Sequence, residues 1–215
     1  MTNGEKTTFW SFLINYSICI PLIQRDYAQG RIGKEELRKR FITSLRKSIL
    51  EGKPLHLDFA YGRFSGSGKG KTFYPLDGQQ RLTTLWLLHC YVAYKAKKLP
   101  DAQAVLQRFS YATRVSARDF CKNLCKCPPL PEGTSDILIH IQNQNWFYSS
   151  WNQDPTIQSM LRMISDKDKK TGIVELLDLP DYVDAWKRLT SRDCKMEFRV
   201  LDIAEIGQTD DLYVK

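Results

Sequence analysis

The chain has 215 residues, 42% hydrophobic and 26% charged, with a formal charge of +8 and a pI near 9.2. Length and apolar content suffice to bury a genuine core as one large domain or two small ones, and there is no internal repeat and no low-complexity tail. The apolar run from Leu85 to Tyr94 includes His89 and falls far short of the roughly 20 residues of a membrane helix, so no span is expected. Six cysteines, at 19, 90, 121, 125, 127 and 194, lack the dense framework of a small secreted protein. The start MTNGEKTTFW has no charged region followed by an apolar signal core, so a cytoplasmic protein with reduced thiols is expected. The positive balance favours polyanionic partners, nucleic acid or nucleotide, although an evenly spread positive surface only aids solubility.

Phe9 to Tyr16 mixes apolar and small polar residues, and Ser17 to Leu22 is a β-rich run that Pro21 confines to a strand end or sheet edge. Gln24, Arg25 and Tyr27 then supply a donor, a cation and a ring suited to phosphate and base or ribose contacts. The competing reading is a turn in which Arg25 pairs locally and Tyr27 packs on the core. Lys34 to Glu51 predicts an amphipathic helix with Leu37, Phe41, Leu45 and Ile49 inside, Lys39, Arg40, Arg46 and Lys47 exposed, and Gly52 as its C-terminal cap. Leu55, Leu57, Phe59 and Tyr61 alternate with His56, Asp58 and Ala60, which predicts a strand with one buried face. Gly70-Lys71-Thr72 is not a phosphate-binding P-loop, because position 65 is Ser and Thr72 enters a strand rather than a helix; Ser65 to Gly70 reads as a hairpin connection.

Lys71 to Lys98 predicts strand, tight turn and long buried helix. Gly78 suits the φ > 0 conformation of a sharp turn, and Leu82, Leu85, Trp86, His89, Val92, Ala93 and Ala96 recur at helical spacing. Asp77, Gln79, Gln80 and Arg81 gather where that helix begins. Free backbone amides and the helix dipole favour a phosphate there, Gly78 lets it approach, and Arg81 supplies a forked cation. An equally open reading is a capping box of Asp77 and Gln80, with Arg81 paired to Asp77.

Beyond it, Cys121, Cys125 and Cys127 lack the paired spacing of a structural zinc site and read as ordinary thiols. Trp146, Phe147, Tyr148 and Trp151 predict a small aromatic core rather than a base-stacking strip. Asp154-Pro155 caps a helix from Thr156 to about Ser165, with helical stretches at Ile173 to Leu177 and around Asp181 to Leu189 and a last strand over 195–203. Gly207 to Lys215 reads as a turn opening a helix.

Two segments carry a resemblance. Asp77-Gly78-Gln79-Gln80-Arg81-Leu82-Thr83-Thr84-Leu85 resembles the DGQQR signature of the GmrSD-type restriction endonuclease N-terminal family, and Ile20-Pro21-Leu22-Ile23-Gln24-Arg25-Asp26-Tyr27 resembles its upstream IPxYQRxY element, with Ile23 in place of Tyr. The resemblance implies an α/β (α+β) fold: a small mixed sheet of ParB/sulfiredoxin-like type flanked by helices, with a mainly helical insertion. The core covers about 9–98 plus 195–203 and the insertion about 100–190, in one N-terminal domain over 1–215. It also implies a nucleotide-binding, NTP-hydrolysing part of a modification-dependent restriction or phage-defence protein. Asp77, Gln80 and Arg81 would carry catalysis, Gln24, Arg25, Tyr27, Gly78, Gln79 and Arg81 would hold GTP, CTP or ATP, and Asp77 would bind Mg²⁺. Contact with DNA through the full-length protein follows, with an oligomer allowed. The family continues past a DDLYVK-type segment into an Asn-Arg-Gly motif, so the chain is expected to be part of a longer protein and to bind nucleotide weakly without that motif. The alternatives are a DNA-binding or nuclease module gripping the backbone with the same arginines, and a non-catalytic structural interaction domain.

Overall fold

A computed structural model describes residues 4–21, 27–133 and 136–203. Six strands among them, β1 (Lys6–Thr7), β2 (Ser17–Ile20), β3 (Leu55–Ser65), β4 (Thr72–Pro75), β5 (Phe109–Tyr111) and β6 (Met196–Asp202), form one mixed sheet in the order β1-β6-β3-β4-β2-β5. β2 runs parallel to both β4 and β5, and β3 runs parallel to β6; the β3–β4 and β1–β6 pairs are antiparallel. The α/β expectation is met. β5 falls in the 100–190 stretch expected to be mainly helical and received no strand there; three residues are too few to show periodicity, and what makes them a strand is pairing with β2 through Ile18, Cys19 and Ile20.

One face of the sheet holds the core. Ile18, Ile20, Phe73, Phe109, Phe198 and Val200 are buried on it, whereas no strand residue on the opposite face is buried among the described residues. Against the core face lies the helix α3 (Gln79–Lys95), in which every residue from Leu82 to Ala93 is buried. Its Trp86 stacks on Phe109 with ring centres 5.0 Å apart and donates Nε1–H to Leu106 O at 3.0 Å, tying helix to sheet edge. Around α3 pack α1 (Phe9–Asn15), α4 (Leu99–Leu106), α7 (Pro155–Ile164) and α9 (Tyr182–Thr190). The remaining helices are α2 (Glu35–Glu51), α5 (Val115–Leu124), α6 (Ile137–Gln142) and α8 (Ile173–Leu177). No helix among the described residues is long and apolar enough to cross a membrane.

Several expectations hold for identifiable reasons. Gly52 ends α2 in the left-handed region at φ 65°, and Asp154 accepts from the amides of Thr156 and Ile157 at the start of α7. Phe120, Trp146, Phe147 and Trp151 meet edge to face as a small core. Cys90, Cys121, Cys125 and Cys127 are buried, and burial pushes the Cys127 thiol up to about 12.

Two patterns break. In α2 the inward stripe is Arg38, Ile42, Leu45 and Ile49, while Leu37 is 51% exposed. Arg38 goes inside because its fork is satisfied: Nη2 pairs with Asp166 and Thr171 Oγ1, and Nη1 donates to the carbonyls of Gln29 (3.3 Å) and Arg31 (3.2 Å). In β3 the alternation reverses part-way. Asp58 adopts φ 54° and the ladder to β6 shifts register between His56 and Phe59, so Leu57 and Ala60 are buried while Phe59 and Tyr61 turn outward. A β-bulge adds one residue and flips every side chain beyond it. β4 ends at Pro75, because the amides of Leu76 and Asp77 both turn to Tyr61 O at 2.8 and 3.1 Å.

Candidate functional site

Because β2 and β4 are adjacent and parallel, the segments that follow them leave the sheet at the same end. Carboxyl ends of parallel strands are where open α/β sheets place ligands. Segment 27–29 is laid across the first turns of α3. Gln80 Oε1 accepts the amides of Ala28 (2.7 Å) and Gln29 (3.3 Å). Tyr27 is 1% exposed and its hydroxyl lies 2.6 Å from Thr84 Oγ1, which in turn donates to Gln29 Oε1 at 2.5 Å. Burial raises the Tyr27 pKa well above the ordinary phenol value, so the ring acts as a neutral hydrogen-bonding group. Gln24 and Arg25 lie outside the described residues.

The turn itself departs from the capping-box reading. Gly78 is the N-cap of α3, at φ 81° and ψ −1°, with no side-chain cap, and Gln80 reaches to segment 27–29 instead of back to Asp77. A Cβ at Gly78 would sit 3.1 Å from Ala60 Cβ, so glycine is required both by conformation and by the close approach of β3. Gln79 is buried and donates Nε2–H to Pro75 O at 2.6 Å. Arg81 bends toward the β-bulge. Its Nη1 donates to Leu57 O at 2.5 Å and contacts Asp58 Oδ2 at 3.3 Å, and its Nη2 donates to Phe59 O at 2.6 Å. Asp77 Oδ2 stands 3.8 Å from Nη2. Two carboxylates therefore flank one guanidinium, and both are open to solvent, with side-chain exposures of 58% for Asp77 and 84% for Asp58.

The family model described as GmrSD restriction endonuclease, N-terminal domain, matches residues 9–202. The chain belongs to that family. No curated protein matches it. In this GmrSD N-terminal domain the DGQQR turn is thus built from parts with distinct tasks: Gly78 turns, Gln79 and Gln80 anchor backbone, and Arg81 bridges to β3.

Asp58 is the site residue that sequence reasoning missed. It sat in an apparent alternation as an outward polar residue, and its left-handed backbone, which Asp tolerates better than most residues, has no periodic signature. No group of three or more His, Cys, Asp or Glu side chains that could hold a metal ion occurs among the described residues. Asp77 and Asp58 are the exposed carboxylates that face Arg81 at the turn.

Proposed function

We propose that this domain binds a nucleoside triphosphate, GTP, CTP or ATP, with Mg²⁺ at the turn 77–81, and hydrolyses it within a restriction or phage-defence protein that acts on modified DNA. The observation that carries the reading is the docking of segment 27–29 on the start of α3 through Gln80, which joins the two family segments at one helix N-terminus. That terminus offers the positive end of a helix dipole to phosphate oxygens. In this reading the Gly78 and Gln79 backbone and Arg81 hold phosphate, and Asp77, assisted by Asp58, meets Mg²⁺. Gln80 and Tyr27 hold segment 27–29 against the first turns of α3, and Gln24 and Arg25 are the further nucleotide-binding residues of this reading. Mg²⁺ supplies charge neutralisation at the phosphates when bound, and the protein supplies positioning, the larger part of phosphoryl-transfer catalysis.

Equilibrium binding of labelled GTP, CTP and ATP with and without Mg²⁺ tests the reading. Mg²⁺-dependent binding that is lost in Asp77→Asn supports it, because Asp77 is exposed and its loss costs the fold little. Absence of binding to all three nucleotides by the intact protein overturns it. The +8 formal charge favours a second reading, in which the same arginines grip a DNA backbone. That reading predicts DNA affinity that falls steeply with salt and is indifferent to nucleotide.

A further inference from the structure

The sheet face opposite the core adjoins the turn described above through Asp58 and the Phe59 carbonyl, and its ring and cation side chains lie beyond that contact. Cross-strand register places Lys6, Arg199 and Phe59 in one row, Tyr61 beside Leu201 in the next, and Arg63 opposite Tyr74. Phe59 is 46% exposed and Tyr61 39%, an unusual openness for two large rings in the middle of a sheet. The cause is the bulge at Asp58, which turns both residues away from the core side that simple alternation would give them.

We propose that this face binds single-stranded nucleic acid, with bases stacking on Phe59 and Tyr61 and phosphates meeting Arg63 and Arg199. Residues two apart on a strand are about 7 Å from each other and neighbouring strands about 4.8 Å, so the rings form a platform on which an extended strand lays successive bases. The cations sit among the rings rather than around them, since Phe59 pairs with Arg199 and Tyr74 with Arg63. A protein partner that buried this face would have to desolvate those guanidiniums, whereas a phosphodiester chain neutralises them. The carboxylates nearby are already engaged: Glu197 with Lys6 at 3.4 Å, and Asp58 with Arg81 at 3.3 Å. Arg199 also donates to Gly4 O at 2.7 Å, which holds the side chain in place along the edge of the sheet. A duplex is a poorer fit because its bases are stacked on each other and hidden from the rings. The rings and cations that would meet the strand lie outside the DGQQR turn, so the inference is tested apart from the nucleotide reading.

Fluorescence anisotropy with labelled oligo-dT and oligo-rU of about a dozen nucleotides, and a dT·dA duplex of the same length, tests it on the 215-residue chain. Expected are tighter binding of the single strands than of the duplex and a loss of about tenfold or more in the Phe59→Leu, Tyr61→Leu double variant. A shallower salt dependence is expected in Arg63→Gln. Thermal melting of the double variant confirms that it folds, since leucine keeps β-sheet bulk at an exposed site. Unchanged affinity in a folded double variant, preference for the duplex, or no binding by the wild-type chain overturns the proposal. So does a wild-type dimer in sedimentation that the double variant abolishes, which would assign the face to a second copy. None of the probes carries a triphosphate or needs Mg²⁺, so failure of nucleotide binding would leave the outcome readable.

Discussion

Arg81 donates to the carbonyls of Leu57 and Phe59, and those bonds hold the backbone on both sides of Asp58 in the bulged conformation. Hydrogen bonds from a charged donor contribute about 1.5–3 kcal/mol each. Arg81→Ala is therefore expected to destabilise the chain by about 3 kcal/mol in urea unfolding, whether or not nucleotide is present. Arg81→Lys should recover only part of that, because an ammonium lacks the fork that spans two carbonyls. His89 carries a second residue-scale prediction. Its Nδ1–H donates to Leu85 O at 2.7 Å within a cage that includes Phe9, Trp10 and Trp186, and burial pulls its pKa from 6.5 down to about 4. The folded chain keeps it neutral while the unfolded chain takes a proton below about 6.5, so stability rises with pH between these values and is lost as pH falls through the window. The loss approaches about 3 kcal/mol near pH 4. Urea midpoints measured at pH 7 and 4.5 should converge in His89→Gln, which retains a donor without a titrating ring.

At the scale of elements, the segment after β2 is held from three sides, by α3, α7 and α2. Gln80 of α3 takes its amides, Arg162 of α7 donates Nε–H to Gly30 O at 2.9 Å, and Arg38 of α2 binds the carbonyls of Gln29 and Arg31 while pairing with Asp166 beyond α7. Contact at Gly30 is so close that a Cβ would lie 1.8 Å from Ser159 O, a backbone atom of a buried helix that cannot yield. Gly30→Ala should therefore displace segment 27–31 from α7, seen as faster amide exchange at Ala28 and Gln29 together with a lower melting temperature. Arg38→Ala leaves Asp166 beside an empty buried space and is expected to cost about 3–5 kcal/mol in equilibrium unfolding. The double change Arg38→Met, Asp166→Leu should cost clearly less, because neither charge then remains unpaired.

For the whole molecule, the sheet separates two environments. The core side holds α3 and the buried thiols, and the other side presents strand side chains to solvent. Cys90, Cys121, Cys125 and Cys127 lie at most 7% exposed, and burial raises the pKa of Cys90 and Cys121 well above the ordinary thiol value. Native alkylation with iodoacetamide should then modify Cys19, which is only half-buried, well before these four, with all of them reacting in urea; peptide mass spectrometry reads the order. Early modification of Cys121 or Cys125 would mean that the packing of α5 on β5 opens readily.

Short-range pattern made part of this legible from sequence alone. A buried α3 follows from an apolar run too broad for a surface helix, the Gly78 turn from the demand for positive φ, and the α7 start from Asp154-Pro155, because each depends on neighbours within a few residues. The two motif segments were recognisable as family signatures, but not how they meet. That Gln80 turns to Ala28 and Gln29, that Arg81 turns to Leu57 and Phe59, and that Arg38 belongs inside are facts about groups 7 to 133 residues apart in the chain. Periodicity assigns a side chain to a face only while the register is unbroken, and a bulge at Asp58 costs one residue and no apolar signal. Local physics decided the elements of this protein. Which face Phe59 and Tyr61 present was decided only by the tertiary structure, because a backbone carbonyl finds its partner in space and not in sequence.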